Sequence, residues 1–206
     1  MLVVGLTGSI AMGKSMAAAH LGSRGVPVFD ADAAVHDIYR HEAVAAIESA
    51  FPGSTSAGGV DRALLSDALQ QDPAGFKRLE AIVHPLVRER EVAFLREAAA
   101  GGAKVAVLDV PLLFETGLDA ALDAVIVVSA NPKAQRERAL MRPGMTPEKL
   151  EQILARQLPD EEKRRRAHFV VDTNGPPGRS LHQLNAILAA LIGRPANAFK
   201  RFWSPH

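Results

Sequence analysis

A glycine-rich stretch near the start of the chain has the residue types and the spacing of a phosphate-binding loop. It reads GSIAMGKS from Gly8 to Ser15 and fulfils the pattern G-x-x-x-x-G-K-[ST]. In such a loop, backbone N–H groups and the N-terminus of the following helix point at a β-phosphate. Lys14 then bridges the β- and γ-phosphates, and the Ser15 hydroxyl is a ligand of Mg²⁺. The residues expected to contact the nucleotide are Gly8, Ala11, Met12, Gly13, Lys14, Ser15 and Met16.

Two aspartates after a predicted strand are candidates for activating the group that receives the phosphate. The apolar run Val26–Phe29 predicts the strand, and the sequence Asp-Ala-Asp follows it directly. Ligands of open α/β sheets bind beyond the carboxyl ends of the strands, where a carboxylate can orient and deprotonate an acceptor hydroxyl. Either aspartate could equally cap the helix predicted to begin near Ala33. From the residues alone, the choice between Asp30 and Asp32 stays open.

Asp109 is a candidate magnesium ligand. It ends the apolar run Val105–Leu108, which predicts another buried strand. At the carboxyl end of that strand its carboxylate could hold Mg²⁺ through water, as the aspartate of a Walker B motif does. It could also be an ordinary turn residue at a strand end, and the residues alone do not decide between the two.

A charged segment over residues 132–166 predicts a lid that closes over the nucleotide. Arg138 and Arg142 are four residues apart and share a helix face, and Pro143-Gly144 favours a turn beside them. Phosphoryl transfer builds negative charge on the equatorial oxygens, which mobile arginines neutralise. We therefore expect Arg142 to assist catalysis and Arg138 to bind the nucleotide, although a solvated helical hairpin would show the same pattern. For Arg164–Arg166 we expect a solvated helix face.

The composition indicates one globular protein. The chain has 206 residues, 48% of them hydrophobic, with a formal net charge of +1 and no cysteine. The absence of cysteine excludes disulfides, zinc thiolate sites and cysteine nucleophiles. The nearly balanced charge gives no reason to expect a nucleic-acid partner. The N-terminus does not have the pattern of a signal peptide, and no apolar run is long enough to span a membrane. We expect a cytoplasmic protein that needs neither a membrane nor an obligate protein partner.

Apolar runs alternate with helical patterns and predict an α/β fold with a five-stranded, doubly wound parallel sheet. The predicted strands are Leu2–Leu6, Val26–Phe29, Val105–Leu108, Ala124–Val128 and Phe169–Val171. One helix is expected over residues 181–192 and should stop at Gly193, and another should break at Pro85. The Gly/Ser-rich stretch Pro52–Gly59 is expected to be a surface loop. Residues 1–206 are read as a single domain, with a nucleotide core over about 1–30, 104–131 and 167–193, a helical insertion over 31–103 and the lid over 132–166.

Among nucleotide-binding proteins, a small-molecule kinase that uses ATP is favoured. A guanine-specific site normally contains Asn-Lys-x-Asp, and the chain has no Lys-x-Asp. It is also too short for the additional parts of most motor ATPases. A nucleoside or nucleoside-monophosphate kinase and a non-catalytic ATP-dependent switch remain the alternatives.

Several short segments together resemble the dephospho-CoA kinase family. They cover residues 2–175 in order and are GLTG with the phosphate-binding loop, Asp30-Ala31-Asp32, Leu79-Glu80 with His84-Pro85, Pro111–Glu115, Gln157 with Glu161-Glu162-Lys163, and Val171-Asp172. The resemblance implies a P-loop kinase with a three-layer α/β/α core, a helical insertion for the acceptor and a lid. It also implies transfer of the γ-phosphate of ATP to the ribose 3′-hydroxyl of dephospho-CoA, the last step of coenzyme A biosynthesis.

The resemblance assigns roles to particular residues. It selects Asp32 as the aspartate that activates the acceptor, and it implies a lid arginine at Arg142 that meets the ATP phosphates. The His84-Pro85 pair, Leu113 and Glu115 would shape the acceptor site.

The phosphate-binding loop departs from the family pattern, which usually reads Gly-Gly-Ile-Gly-Ser-Gly. Ser9, Ala11 and Met12 stand at three of these positions, so we expect an intact but stiffer loop in which Ala11 adopts a conformation that a Cβ tolerates. Thr173 stands where the family often has asparagine. The tail Phe199–His206 lies outside the resemblance, and we expect Trp203 to dock on the surface.

Overall fold

The computed structural model describes residues 1–72 and 74–204. The chain divides into two compact units, one of Met1–Phe29 with Leu95–His206 and one of Asp30–Phe94. In the part of the chain that the structure describes, no helix combines the length and the apolarity needed to cross a membrane.

The strands are β1 (Leu2–Thr7), β2 (Val28–Asp30), β3 (Thr55–Ser56), β4 (Gly59–Val60), β5 (Val105–Asp109), β6 (Ala124–Ser129) and β7 (Phe169–Asp172). The α-helices are α1 (Lys14–Ser23), α2 (Ala31–Ile38), α3 (Val44–Ala50), α4 (Arg62–Gln71), α5 (Gly75–Ala100), α6 (Pro132–Leu140), α7 (Pro147–Leu154), α8 (Asp160–Arg166) and α9 (Pro177–Leu191). A 3₁₀ turn over Leu118–Ala121 and a π-helical turn over Phe199–Trp203 complete the set.

Five strands form the main sheet in the order β2-β5-β1-β6-β7. β1 pairs in parallel with β5 on one side and with β6 on the other, and β6 pairs in parallel with β7. Every residue of β1 and β6 is buried, as expected for parallel strands that are covered on both faces. The five predicted strands are confirmed, and their ends lie within two residues of the expected ones.

Both faces of the sheet are covered, which confirms the predicted three-layer α/β/α arrangement. Ile126 of β6 packs with Leu184 of α9 in one apolar cluster. The next residue, Val127, packs with Leu113 and Phe114 in another cluster. Neighbouring side chains of a strand point to opposite faces, so the two clusters lie on opposite sides of the sheet. α9 ends close to Gly193, which has φ 93° and stops the helix as predicted.

The unit Asp30–Phe94 has an apolar core of its own. Helices α2, α3, α4 and the first part of α5 surround the buried side chains of Ile38, Ile47, Phe51, Leu65 and Val83. The predicted surface loop over Pro52–Gly59 is wrong in part, because it contains a two-stranded antiparallel hairpin of β3 and β4. The Val60 N–H donates to the carbonyl oxygen of Tyr39 at 2.8 Å and joins this hairpin to the end of α2.

The predicted helix break at Pro85 is wrong. α5 runs without interruption over 26 residues and contains Pro85. Proline has no N–H for the carbonyl of Ala81, so one helical hydrogen bond is lost. The apolar residues around it, Leu79, Ile82, Val83, Leu86 and Val87, all pack in the same cluster. This burial outweighs the local preference to end the helix.

The C-terminal segment is more closely integrated than predicted. Trp203 is 1% exposed, so its ring is buried instead of resting on the surface. Its indole Nε1–H donates to the carbonyl oxygen of Ala121 at 2.7 Å, at the end of the 3₁₀ turn before β6. The segment is thereby attached to the first unit.

Candidate nucleotide-binding site

The phosphate-binding loop joins β1 to α1, and two glycines allow its path. A Cβ at Gly8 would lie 2.6 Å from the carbonyl oxygen of Val128 in β6, which is too close for any other residue. Gly13 has φ 95° and is the N-cap of α1. Since it has no side chain to cap the helix, the N–H groups in the first turn of α1 stay available to an anion. The loop therefore has the form of a phosphate-binding site.

The three residues at which the loop departs from the family pattern are buried. Ser9, Ala11 and Met12 are 5%, 6% and 1% exposed. Ala11 has φ 62°, so it adopts the left-handed conformation that a Cβ disfavours without forbidding it. The Ala130 N–H donates to the Met12 sulfur at 3.0 Å. The three side chains thus fill space beneath the loop.

Lys14 forms an ion pair with Asp109. The Lys14 Nζ lies 2.5 Å from the Asp109 Oδ1, and the two side chains are 16% and 4% exposed. The pairing follows from strand order, because β5 lies beside β1 in the sheet and both strands end at the same edge. Ser15 is exposed in the first turn of α1, and Met16 beside it is half-buried. The structure therefore brings Lys14, Ser15 and Asp109 to the same end of the sheet.

Arg138 is anchored by Thr173. Its Nη1 donates to the Thr173 Oγ1 at 3.2 Å, and its Nη2 donates to the Thr173 carbonyl oxygen at 2.6 Å. The buried Thr173 hydroxyl also lies 2.8 Å from the Met12 carbonyl oxygen, to which it donates. One side chain after β7 thus connects α6 with the phosphate-binding loop. The sequence contains no signal for this connection, since a single threonine after a strand is unremarkable.

A cavity of about 980 Å³ lies beside the loop, at the carboxyl ends of β6 and β7. Polar side chains line it from several elements, among them Ser129, Asn131, Gln135, Asp160, Glu161, Arg164, Arg165, Asp172 and Asn174. Arg164–Arg166 are exposed, although Arg164 and Arg165 also line this cavity, so the expected solvated helix face stays a prediction. Arg166, which is not part of the lining, pairs with Asp119 at 2.8 Å.

Leu113 and Glu115 are held by the protein itself. Leu113 is fully buried among residues of the sheet core, so the predicted ligand contact of its side chain is not supported. The Glu115 Oε1 lies 2.9 Å from the Nζ of the fully buried Lys163 and accepts a hydrogen bond from the Leu158 N–H at 2.8 Å. Burial raises the pKa of Glu115, but Lys163 and the Leu158 N–H outweigh burial and hold that pKa below its ordinary value.

The remaining predicted site residues are exposed. The Asp30 Oδ1 accepts a hydrogen bond from the Ala33 N–H at 3.0 Å and caps α2, whereas Asp32 lies in the first turn of that helix. His84 and Pro85 are exposed on α5, and Arg142 is exposed two residues after the end of α6. Asp30 and Asp32 therefore differ in their local contacts, which the sequence could not show.

Comparisons with known proteins give matches over most of the chain. The model of the family described as CoaE, dephospho-CoA kinase, matches residues 2–177. The dephospho-CoA kinase of Rhodopseudomonas palustris is 58% identical over 195 residues, which are 95% of this chain and 98% of that protein. The dephospho-CoA kinase of Agrobacterium fabrum is 55% identical over 191 residues, which are 93% of this chain and 98% of that protein.

Solved structures are similar over nearly the whole chain. A crystal structure of a Thermus thermophilus protein has a TM-score of 0.81 at 35% identity and covers 93% of this chain and 98% of its own. The dephospho-CoA kinase from Campylobacter jejuni has a TM-score of 0.63 at 21% identity, covers 92% of this chain and 96% of its own, and supports the fold.

Proposed function

The chain belongs to the dephospho-CoA kinase family, and from this premise we propose how its residues transfer the γ-phosphate of ATP to the ribose 3′-hydroxyl of dephospho-CoA. The observation that carries the proposal is the phosphate-binding loop with Lys14 held 2.5 Å from Asp109 beside it. The alternative of a nucleoside or nucleoside-monophosphate kinase has no observation in its favour.

On the nucleotide side, the loop N–H groups and the first turn of α1 bind the β-phosphate. Lys14 turns from Asp109 to the β- and γ-phosphates, and Arg142 joins it when the lid closes over the negative charge of the transition state. Arg138 is already held by its hydrogen bonds to Thr173. It therefore contacts the nucleotide without losing further side-chain freedom. These residues position ATP and stabilise charge.

Ser15 and Asp109 provide a hydroxyl and a carboxylate, which are the oxygen ligands that Mg²⁺ prefers, so the donor set fits this ion. Both lie at the carboxyl edge of the sheet, next to the loop. A bound Mg²⁺ would neutralise charge on the β- and γ-phosphates.

On the acceptor side, Asp32 orients the 3′-hydroxyl and accepts its proton. The contact of Asp30 supports this choice, because the Asp30 carboxylate caps α2 by accepting from the Ala33 N–H. The exposed His84 and Pro85 are proposed to contact dephospho-CoA. Glu115 is proposed to shape the acceptor site indirectly, by holding the backbone of Leu158. Its Oε1 already contacts Lys163 and the Leu158 N–H.

The test is Asp32→Asn, measured with ATP, Mg²⁺ and dephospho-CoA and read as CoA by mass spectrometry with the new phosphate located at the 3′ position. We expect kcat to fall by about 10²–10⁴-fold while the Kd for ATP stays nearly constant, because the base acts on the acceptor. Asp30→Asn is the matched control, since asparagine also caps helices. Loss of activity in Asp30→Asn alone, or a product phosphorylated elsewhere, contradicts the proposal.

We propose a cytoplasmic location from the sequence alone. A cytoplasmic enzyme is consistent with a chain of 206 residues that contains no cysteine. Independence from nucleic acid and from an obligate protein partner stays a prediction.

A further inference from the structure

The backbone of Ile10, inside the phosphate-binding loop, is hydrogen-bonded on both sides by glutamines from the lid region. The Ile10 N–H donates to the Gln157 Oε1 at 3.1 Å, and the Ile10 carbonyl oxygen accepts from the Gln135 Nε2 at 3.0 Å. Gln135 lies in α6 and Gln157 follows α7, so they belong to opposite ends of the α6–α7 pair. Gln135 is 8% exposed, so its hydrogen bond to Ile10 is largely shielded from water.

Apolar side chains reinforce this contact. Ala139 of α6 and Leu150 of α7 are buried in one cluster with Ala11, and Ile10 packs against the same cluster. The α6–α7 pair therefore packs directly on the part of the loop whose backbone the glutamines hold. The hydrogen bonds act on Ile10, and the packing acts on Ile10 and the adjacent Ala11.

The position after Gln157 is also held in place. The Leu158 N–H donates to the Glu115 Oε1 at 2.8 Å, and Lys163 lies 2.9 Å from the same oxygen. Gln157 is consequently next to a residue whose backbone is hydrogen-bonded to the partner of a fully buried lysine. Its hold on Ile10 is firm for that reason.

The contacts of Gln135 and Gln157 are important because the loop contains a residue with a disfavoured backbone conformation. Ala11, next to Ile10, has φ 62°, and such residues persist when their surroundings over-determine them. We propose that Gln135 and Gln157 are positioning residues, which hold both peptide groups of Ile10 and so keep the phosphate-binding loop in the conformation that receives ATP. The proposal rests on the kinase function but concerns nucleotide binding alone, so it is independent of the role of Asp32.

Two glutamine-to-glutamate substitutions distinguish the effect of a lost hydrogen bond from the effect of an added charge. Gln135→Glu and Gln157→Glu add the same charge beside the same residue. Gln157→Glu keeps an acceptor for the Ile10 N–H, whereas Gln135→Glu replaces a donor by an oxygen that faces the Ile10 carbonyl. We measure the Kd of a non-hydrolysable ATP analogue with Mg²⁺ by calorimetry at about pH 8.5, where a buried glutamate is ionised and cannot donate a hydrogen bond. We expect this Kd to rise about 10-fold or more for Gln135→Glu. For Gln157→Glu we expect a rise below about 3-fold.

Gln157→Leu provides the second arm in case Gln135→Glu does not fold. It removes the acceptor, and we expect the weaker binding that Gln157→Glu avoids, with the KM for dephospho-CoA unchanged. Glu151→Gln is the control, because Glu151 is 63% exposed on α7 and glutamine can still accept the hydrogen bond that the Arg136 Nη1 donates at 2.7 Å. Equal losses in the two glutamate variants, or normal nucleotide affinity in Gln157→Leu, would overturn the proposal.

Discussion

Ala11 shows how one residue of the phosphate-binding loop combines strain with packing. Among the described residues it is the only non-glycine with a positive φ, and its methyl group is buried against α6 and α7. The left-handed conformation costs an alanine about 1–2 kcal/mol. Burial of the methyl group and the lower backbone entropy of an unfolded alanine offset much of this cost. The loop thereby tolerates an alanine at a position where the family pattern has glycine.

Comparing two alanine-to-glycine substitutions isolates the strain. Ala17, in α1, is also fully buried but has a helical backbone. Both Ala11→Gly and Ala17→Gly lose a buried methyl group and gain unfolded-state entropy, but only the first relieves strain. We expect Ala11→Gly to cost about 1–2 kcal/mol less in the free energy of unfolding than Ala17→Gly, measured by urea denaturation. Equal costs would show that Ala11 is unstrained.

At the scale of elements, α5 contains a buried acid with a shifted pKa. The Glu91 side chain is 7% exposed, and its Oε2 lies 3.7 Å from the Arg88 Nη1. Burial raises the pKa of Glu91 from 4.5 to about 7, and Arg88 opposes only part of this effect. The folded protein therefore retains a proton that the unfolded chain releases between these pH values. Stability falls as the pH rises through this window.

Glu91→Gln should remove this pH dependence. We expect the variant to be about 1–3 kcal/mol more stable than the parent protein at pH 8, because no charge has to be buried, and to show no such gain near pH 4.5. Urea unfolding at both pH values measures the difference. Glu89→Gln is the control, since Glu89 is exposed on the same helix. If the parent and the Glu91→Gln variant change in parallel with pH, the raised pKa is wrong.

At the scale of the whole molecule, the stability of the sheet unit depends on a segment beyond the family match. The match ends at residue 177, yet Trp203 is buried and hydrogen-bonded to Ala121. The Asp123 carboxylate supports the same junction, because its Oδ1 accepts from the N–H groups of Asn197 and Ala198 at 2.8 and 2.9 Å. The C-terminal segment is therefore part of the folded unit.

Trp203→Ala should destabilise the protein by about 3 kcal/mol or more, because it leaves a cavity and an unpaired carbonyl. The neighbouring Phe202 is 38% exposed, so Phe202→Ala is expected to cost less than half as much. Chemical denaturation gives both values, and kcat at a temperature where the variants are folded should be unchanged. Similar losses for the two substitutions would mean that the burial of Trp203 is not important for stability.

The sequence by itself determined what depends on short-range pattern. The glycine and lysine spacing of the loop, the five apolar strands and the stop at Gly193 are local properties, because backbone sterics and side-chain periodicity act over a few residues. The family also followed from short motifs, and the comparisons confirm it. The choice of Asp32 over Asp30 came from the resemblance and stays a proposal.

Tertiary structure decided the pairings between distant residues. Lys14 meets Asp109, Arg138 meets Thr173, and the Ile10 backbone meets Gln135 and Gln157. Such contacts depend on strand order and helix packing, which no local period encodes. The same reason explains the continuous helix through Pro85. Proline costs a helix roughly 3 kcal/mol locally, and only the burial of its neighbours in the folded unit outweighs that cost.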